Sequence, residues 1–134
     1  MASRPDSDVW NIIDNDKDSQ HYGGNFKFDF SYISSEEIKD VVKDYIWQNY
    51  RVGNKTLSSL YSEVKVWFFQ FIRFADTRNI TSLKELTNTD VDHFISYLHT
   101  TISERTKKPF GAAMQRSSLN ALKSIIRWCQ LHLS

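Results

Sequence analysis

Glycine, proline and cysteine are all scarce in this chain, and each shortage removes a class of structure. Four glycines and two prolines among 134 residues, with few alternating valine-rich runs, argue against a sandwich or barrel, which needs a turn every few residues. A single cysteine, Cys129, excludes an internal disulfide and suits a reducing cytosol. No apolar run approaches the length that crosses a bilayer, and the polar N-terminus lacks the apolar stretch of a signal peptide. Also missing are a glycine-rich phosphate loop, an HExxH pair, a CxxC pair and a nucleophile elbow. What the chain does have is apolar content (40%) sufficient for one modest core.

Charge is nearly balanced, at +1 overall, but it is unevenly placed. Residues 1–40 carry four Lys/Arg against nine Asp/Glu, and residues 101–134 carry six against one. A basic C-terminal third is the electrostatic footprint of a polyanion partner, although many such faces are only solvated.

Residues 1–30 hold Asp6, Asp8, Asp14, Asp16 and Asp18 without a sustained apolar period. They read as a flexible, acidic, mobile leader or arm, with Trp10, Ile12 and Ile13 available for local docking. Phe26, Phe28 and Phe30 alternate with Lys27 and Asp29, a strand-like pattern that, short and unpaired, packs as an extended segment. The helical domain follows over 31–134. Ser34-Ser-Glu-Glu37 predicts a capping box, and Ile38, Val41, Val42, Tyr45 and Ile46 continue at helical spacing until Gly53-Asn54. A second helix over about 56–77 has an apolar arc wide enough to make it the central one. Thr89 with Asp92 predicts the cap of a third helix over about 90–104, and Lys107–Gly111 reads as a loop. A fourth helix over about 112–132 sets Leu119, Leu122, Ile126, Cys129 and Leu133 against Arg116, Asn120, Lys123 and Arg127 on the opposite face. The expected fold is all-α: four helices with short connections.

No catalytic or metal-binding constellation emerges. Cys129 and His132 are two ligands without a second pair, and read as a packed thiol and a surface imidazole. His93 and His99 read as structural or solvated, and Asp90 and Asp92 as first-turn carboxylates facing a helix dipole. No cofactor is expected.

The order of these segments carries a resemblance. Thr56, Val64-Lys65 and Trp67 in the second helix, then Leu83, Leu86-Thr87, Asp90-Val91, Phe94-Ile95 and Leu98, then Leu119, Leu122-Lys123, Ile125, Arg127 and Trp128, follow the pattern of one family. From about residue 35 to 134 the chain resembles the core-binding domain of tyrosine recombinases of the phage-integrase type. Trp10 and the Phe26-x-Phe-x-Phe30 run look most like the transposon-borne members. Two features depart from the pattern: Leu60 stands where a tyrosine often follows the helix-opening threonine, with Tyr61 one place later, and no histidine is followed three positions on by arginine.

The resemblance implies an orthogonal, SAM-like four-helix bundle that grips duplex DNA and is not itself an enzyme. The catalytic domain that completes the clamp, and other recombinase protomers on DNA, are the implied partners. No membrane is involved, and the implied location is cytoplasmic, with the bacterial nucleoid when bound. Helices two and four would face the major groove. The residues expected at DNA are Asn54, Lys55, Thr56, Ser59, Ser62 and Lys65 on the second helix, and Gln115, Arg116, Asn120, Lys123 and Arg127 on the fourth. The first three stand at a helix N-terminus that favours phosphate, and Gln115, Arg116 and Asn120 have bidentate side chains that suit base edges. Two other readings stay open: a helical protein-interaction module without DNA binding, and a small regulatory DNA binder outside this family.

Overall fold

In the computed structural model, residues 5–102 and 106–132 are described. The chain enters as an antiparallel hairpin of β1 (Val9–Ile13) and β2 (Asn25–Asp29), with Trp10 opposite Phe28 and Ile12 opposite Phe26. Asp14 closes the intervening loop: its carboxylate accepts from the Asp16 amide and from the Ser19 hydroxyl at 2.6 Å, and its amide donates to the Gly24 carbonyl.

Helix α1 (Glu36–Arg51) starts where the Ser35 hydroxyl accepts from the Ile38 amide. The carboxylate expected to complete a capping box, that of Glu37, instead accepts from the Ser82 hydroxyl at 2.8 Å. Gly53, at φ +75°, turns the chain after α1, a conformation that favours a residue without Cβ. The expected second helix forms as one rod in three parts: α2 (Leu57–Ser62), a π-helical turn (Glu63–Trp67) and α3 (Phe68–Arg78). Thr56 caps it, and Asn79 in the left-handed conformation ends it. Within the π turn the Phe68 amide reaches back five residues to the Glu63 carbonyl, admitting one extra residue to the helix.

Helix α4 (Asn88–Thr100) begins two residues before its expected start. Thr87, not Thr89, is the cap, and a full capping box forms with Asp90: the Thr87 amide donates to the Asp90 carboxylate at 3.0 Å and the Asp90 amide to the Thr87 hydroxyl at 3.1 Å. Both Thr-x-x-Asp spacings fit a cap; the earlier one also sets Leu86 and Val91 at the paired apolar positions that flank a helix start. The expected end of this helix at about 104 is shortened to Thr100, and Ile102 then bridges to Pro109. Positions 103 and 104 lie outside the described residues. Helix α5 (Ala112–His132) spans the range expected of it, and Leu133, expected on its apolar face, lies beyond the described residues.

The rod touches every other helix and β2, which makes it the centre of the molecule. Phe68, Phe71, Phe74 and Phe94 are all buried, with the Phe71 and Phe94 rings crossing edge-to-face at 5.4 Å. Helix α5 lays Ala121, Leu122, Ile125, Trp128 and Cys129 into this core, and Trp128 meets Tyr45 at 5.8 Å.

The all-α expectation needs one amendment: the molecule is mostly helical but includes a two-stranded sheet. Residues 9–29, expected as a leader, place Trp10 and Phe28 in the same buried cluster as the helices, and Phe30 joins them. The strand-like phenylalanine run has a partner after all, supplied by Val9–Ile13. The physical reason lies in α1, where Lys39 and Lys43 have side chains only 9% and 4% exposed. Their ammonium groups need an anion, and Asp8 at the start of the hairpin pairs with both, at 3.2 and 2.9 Å. Lys43 also donates to the Asp6 carbonyl at 3.0 Å.

Trp10 is 3% exposed and packs on Phe30 at 4.9 Å and Trp47 at 5.8 Å. Trp10→Ala is therefore expected to lower the unfolding free energy by about 3–5 kcal/mol, the usual cost of emptying a buried aromatic site. Urea denaturation checks this, and a change below about 1 kcal/mol would mean that the hairpin does not share the core.

Candidate nucleic-acid interface

Helix α5 contains no acidic residue. On the side opposite its buried face, Arg116, Asn120, Lys123 and Arg127 are exposed at three- and four-residue steps, so they form one stripe along about three turns. Among the described residues no ion pair engages Arg116, Lys123 or Arg127. Three exposed cations with an amide between them make a linear positive surface. Gln115, expected to join this group, instead donates from Nε2 to the Phe110 carbonyl at 2.8 Å, where it fastens the loop ahead of the helix.

The second-helix candidates are more heavily committed to the protein itself. Thr56 accepts the Ser59 amide at 3.1 Å and donates to the Ser59 hydroxyl at 3.0 Å; this cap already uses one of the amides expected to face phosphate. Asn54 is exposed, Ser59 is exposed, and Ser62 is half-buried beside the π turn. The Lys55 ammonium lies 3.1 Å from the Glu63 carboxylate and over the Tyr45 ring at 5.8 Å. Glu63, buried, also accepts from the Tyr45 hydroxyl. Lys55 thus neutralises an internal carboxylate that would otherwise be a buried charge without a cation.

Lys65 is tied down by the hairpin. Its ammonium donates to the Asp29 carbonyl at 3.0 Å and sits over the Tyr32 ring at 4.8 Å. Burial pushes its pKa down, against the pull of Asp29. Tyr61, the neighbour of the departed tyrosine position, packs on Phe26 and Phe28 at 5.9 and 5.7 Å. The hairpin therefore covers the part of the rod that the sequence leaves open as a polar stripe. Arg73 is exposed, its guanidinium lying 5.9 Å from the Phe69 ring.

The remaining singled-out residues have plain roles. Asp90 is the capping carboxylate, held below the usual range by its hydrogen bond from the Thr87 amide. His93 lies 3.4 Å from the Arg78 guanidinium, and His132 stacks on Trp128 at 5.0 Å. Cys129 is buried, which raises its thiol pKa. Among the described residues no group of three His, Cys, Asp or Glu side chains is arranged to hold a metal ion.

What the sequence does not reveal is the internal capture of two of its best cations. Glu63 is the one signal available, but it stands eight residues after Lys55 with α2 between them, a spacing that gives no local pattern. Asp8, Lys39 and Lys43, the set that holds the hairpin, likewise lacks any local pattern.

The Tyr45 and Tyr32 hydroxyls both have pKa values raised above the ordinary 10.0, each chiefly by burial, with Glu63 and Asp29 respectively adding to it. A raised folded-state pKa means that the stability these groups carry is full below about pH 10 and is lost as pH climbs through the folded value. Of the six tyrosines, these two are expected to stay protonated in alkaline titration until the chain unfolds. Tyrosinate absorbance followed beside circular dichroism checks this: ionisation of all six ahead of unfolding would contradict the burial of the pair. Compared with protein-family models, with curated proteins and with solved structures, the chain matches none.

Proposed function

We propose that this chain is a DNA-binding domain, the core-binding part of a site-specific tyrosine recombinase of the phage-integrase type, and that α5 lies against the duplex. The single observation that carries the reading is the acid-free α5 stripe of Arg116, Asn120, Lys123 and Arg127, exposed and, among the described residues, free of ion pairs. Helical order supports it too, since the segments run in the sequence of the resembling domain. On this reading the helices make an orthogonal SAM-like bundle, and the hairpin is an elaboration on it. Arg116 and Asn120 have the donor geometry to read base edges, while Lys123 and Arg127 suit phosphates. A catalytic domain would supply the arginine-rich phosphate site and the tyrosine nucleophile, and further protomers would complete the assembly. This chain's share is grip and register, with no bond broken or made.

The commitments of Lys55 and Lys65 narrow the footprint. If Arg116, Lys123 and Arg127 neutralise about three phosphates, the slope of log K against log salt is about −2.7, from roughly −0.9 per contact. Lys123→Ala should make that slope shallower by about one unit, whatever the DNA sequence. Lys65→Ala should leave the slope alone and lower stability instead. Arg116→Ala should cost on the order of 1–3 kcal/mol of preference for a duplex selected from a random pool over bulk DNA. Fluorescence anisotropy across a salt series decides. A flat salt response, or Lys123→Ala binding like the parent, would leave the alternative of a helical interaction module that does not bind DNA.

A further inference from the structure

Beside the start of α4 lies a groove of about 530 Å³. Its floor is apolar, made by Leu83 and Leu86 from the turn ahead of α4, Val91 from the first turn of α4, and Ile126 from α5. Leu86, Val91 and Ile126 are only half-buried, so part of this floor faces solvent. Lys84 and Lys123 stand at the rim, both exposed, and neither joins an ion pair among the described residues. No carboxylate lines the groove.

We propose that this groove is a docking site for an acidic amphipathic protein segment, one that lays apolar side chains on the Leu83–Leu86–Val91–Ile126 floor and sets carboxylates against Lys84 and Lys123. The argument is complementarity of two kinds at once. Half-buried leucine, valine and isoleucine gain from an apolar occupant, at roughly 25 cal/mol for each Å² withdrawn from water. Two exposed lysines, in no ion pair among the described residues, flank that floor and favour an anion. A nucleic-acid backbone meets the second demand but not the first, since phosphates and sugars offer no side chain to cover the aliphatic floor. A helix or strand with apolar residues along one side and Glu or Asp beside them meets both. The groove shares Lys123 with the stripe proposed for DNA, but Lys84, Leu86 and Val91 lie outside it, so the two readings fail separately.

The test is an amide-shift titration of the whole ¹⁵N-labelled chain with two synthetic amphipathic peptides. They share one leucine stripe and differ only in flanking glutamates or lysines. The glutamate peptide is expected to shift amides at 83–91 and 123–130, and the lysine peptide to leave them in place. Lys84→Glu, an exposed charge reversal that the fold tolerates, should weaken the glutamate peptide by roughly tenfold and let the lysine peptide bind. Val91→Glu should abolish binding of the glutamate peptide, and the uncharged Val91→Ala should weaken it while leaving affinity for random duplex DNA unchanged. Equal binding of the two peptides overturns the proposal, as does indifference to Lys84→Glu or a shift map centred elsewhere. Random duplex DNA shifting the groove amides as strongly as the glutamate peptide would assign the groove to the DNA face instead. Self-association that Val91→Glu abolishes, seen by sedimentation, would assign it to a second copy of the chain.

Discussion

An ammonium group that loses most of its water must find an anion, and α1 carries two of them one turn apart. Lys39 and Lys43 are held by the same Asp8 carboxylate, whose pKa is lowered chiefly by the Lys43 bond and then by the Lys39 bond. That bidentate bridge lies at the entry to β1, and it brings Trp10 and Phe28 down into the aromatic core. Once the hairpin is seated, β2 meets α2, Tyr61 is roofed by Phe26 and Phe28, and Lys65 becomes a ligand for the Asp29 carbonyl. The electrostatic surface of the whole molecule follows from that one docking event. Lys55 and Lys65 are turned to partners within the protein, while Arg116, Lys123 and Arg127 on α5 stay exposed.

Neutralising cations internally has a second benefit. A domain that read DNA with every lysine it owned would bind any polyanion. Three cations spaced along one helix face make a linear array with a definite axis, which imposes orientation as well as attraction.

Much of the helical framework was legible because its signals are local. Capping hydroxyls, the Gly53 turn and the apolar spacing of α5 lie within a few residues of the structure they determine, and α5 spans the range its period implies. The start of α4 was misjudged because Thr87-x-x-Asp90 and Thr89-x-x-Asp92 are equivalent as strings; only Leu86 and Val91 on either side distinguish them. The hairpin was harder. Val-Trp-Asn-Ile-Ile lacks clean alternation, and its partner strand begins only after an eleven-residue acidic loop at 14–24, so neither strand alone announces the other. The site was least legible of all. Arg116, Asn120, Lys123 and Arg127 share a face by helical geometry alone, whereas the fates of Lys55 and Lys65 depend on Glu63 turning inward and on the hairpin, both long-range outcomes. Gln115 is held by the carbonyl of Phe110 in the loop ahead of α5, a contact that helical spacing does not reveal.

The π turn at Glu63–Trp67 gives the rod a length tolerance that an ordinary helix lacks. Such a turn is one residue longer than the α-helical path; within it Val66 is 43% exposed, while its neighbours in the turn are half-buried or buried. Rewinding these same residues into an unbroken α-helix would cost the two ends their present angular phase. The Thr56–Ser62 end would turn by about 100° relative to the Phe68–Arg78 end. Phe68, Phe71 and Phe74 could stay seated while Lys55 swung away from Glu63 and Tyr61 slid from under the hairpin. The looser turn thus works as a phase coupling, letting the aromatic half of the rod follow the core while the capped half follows the hairpin.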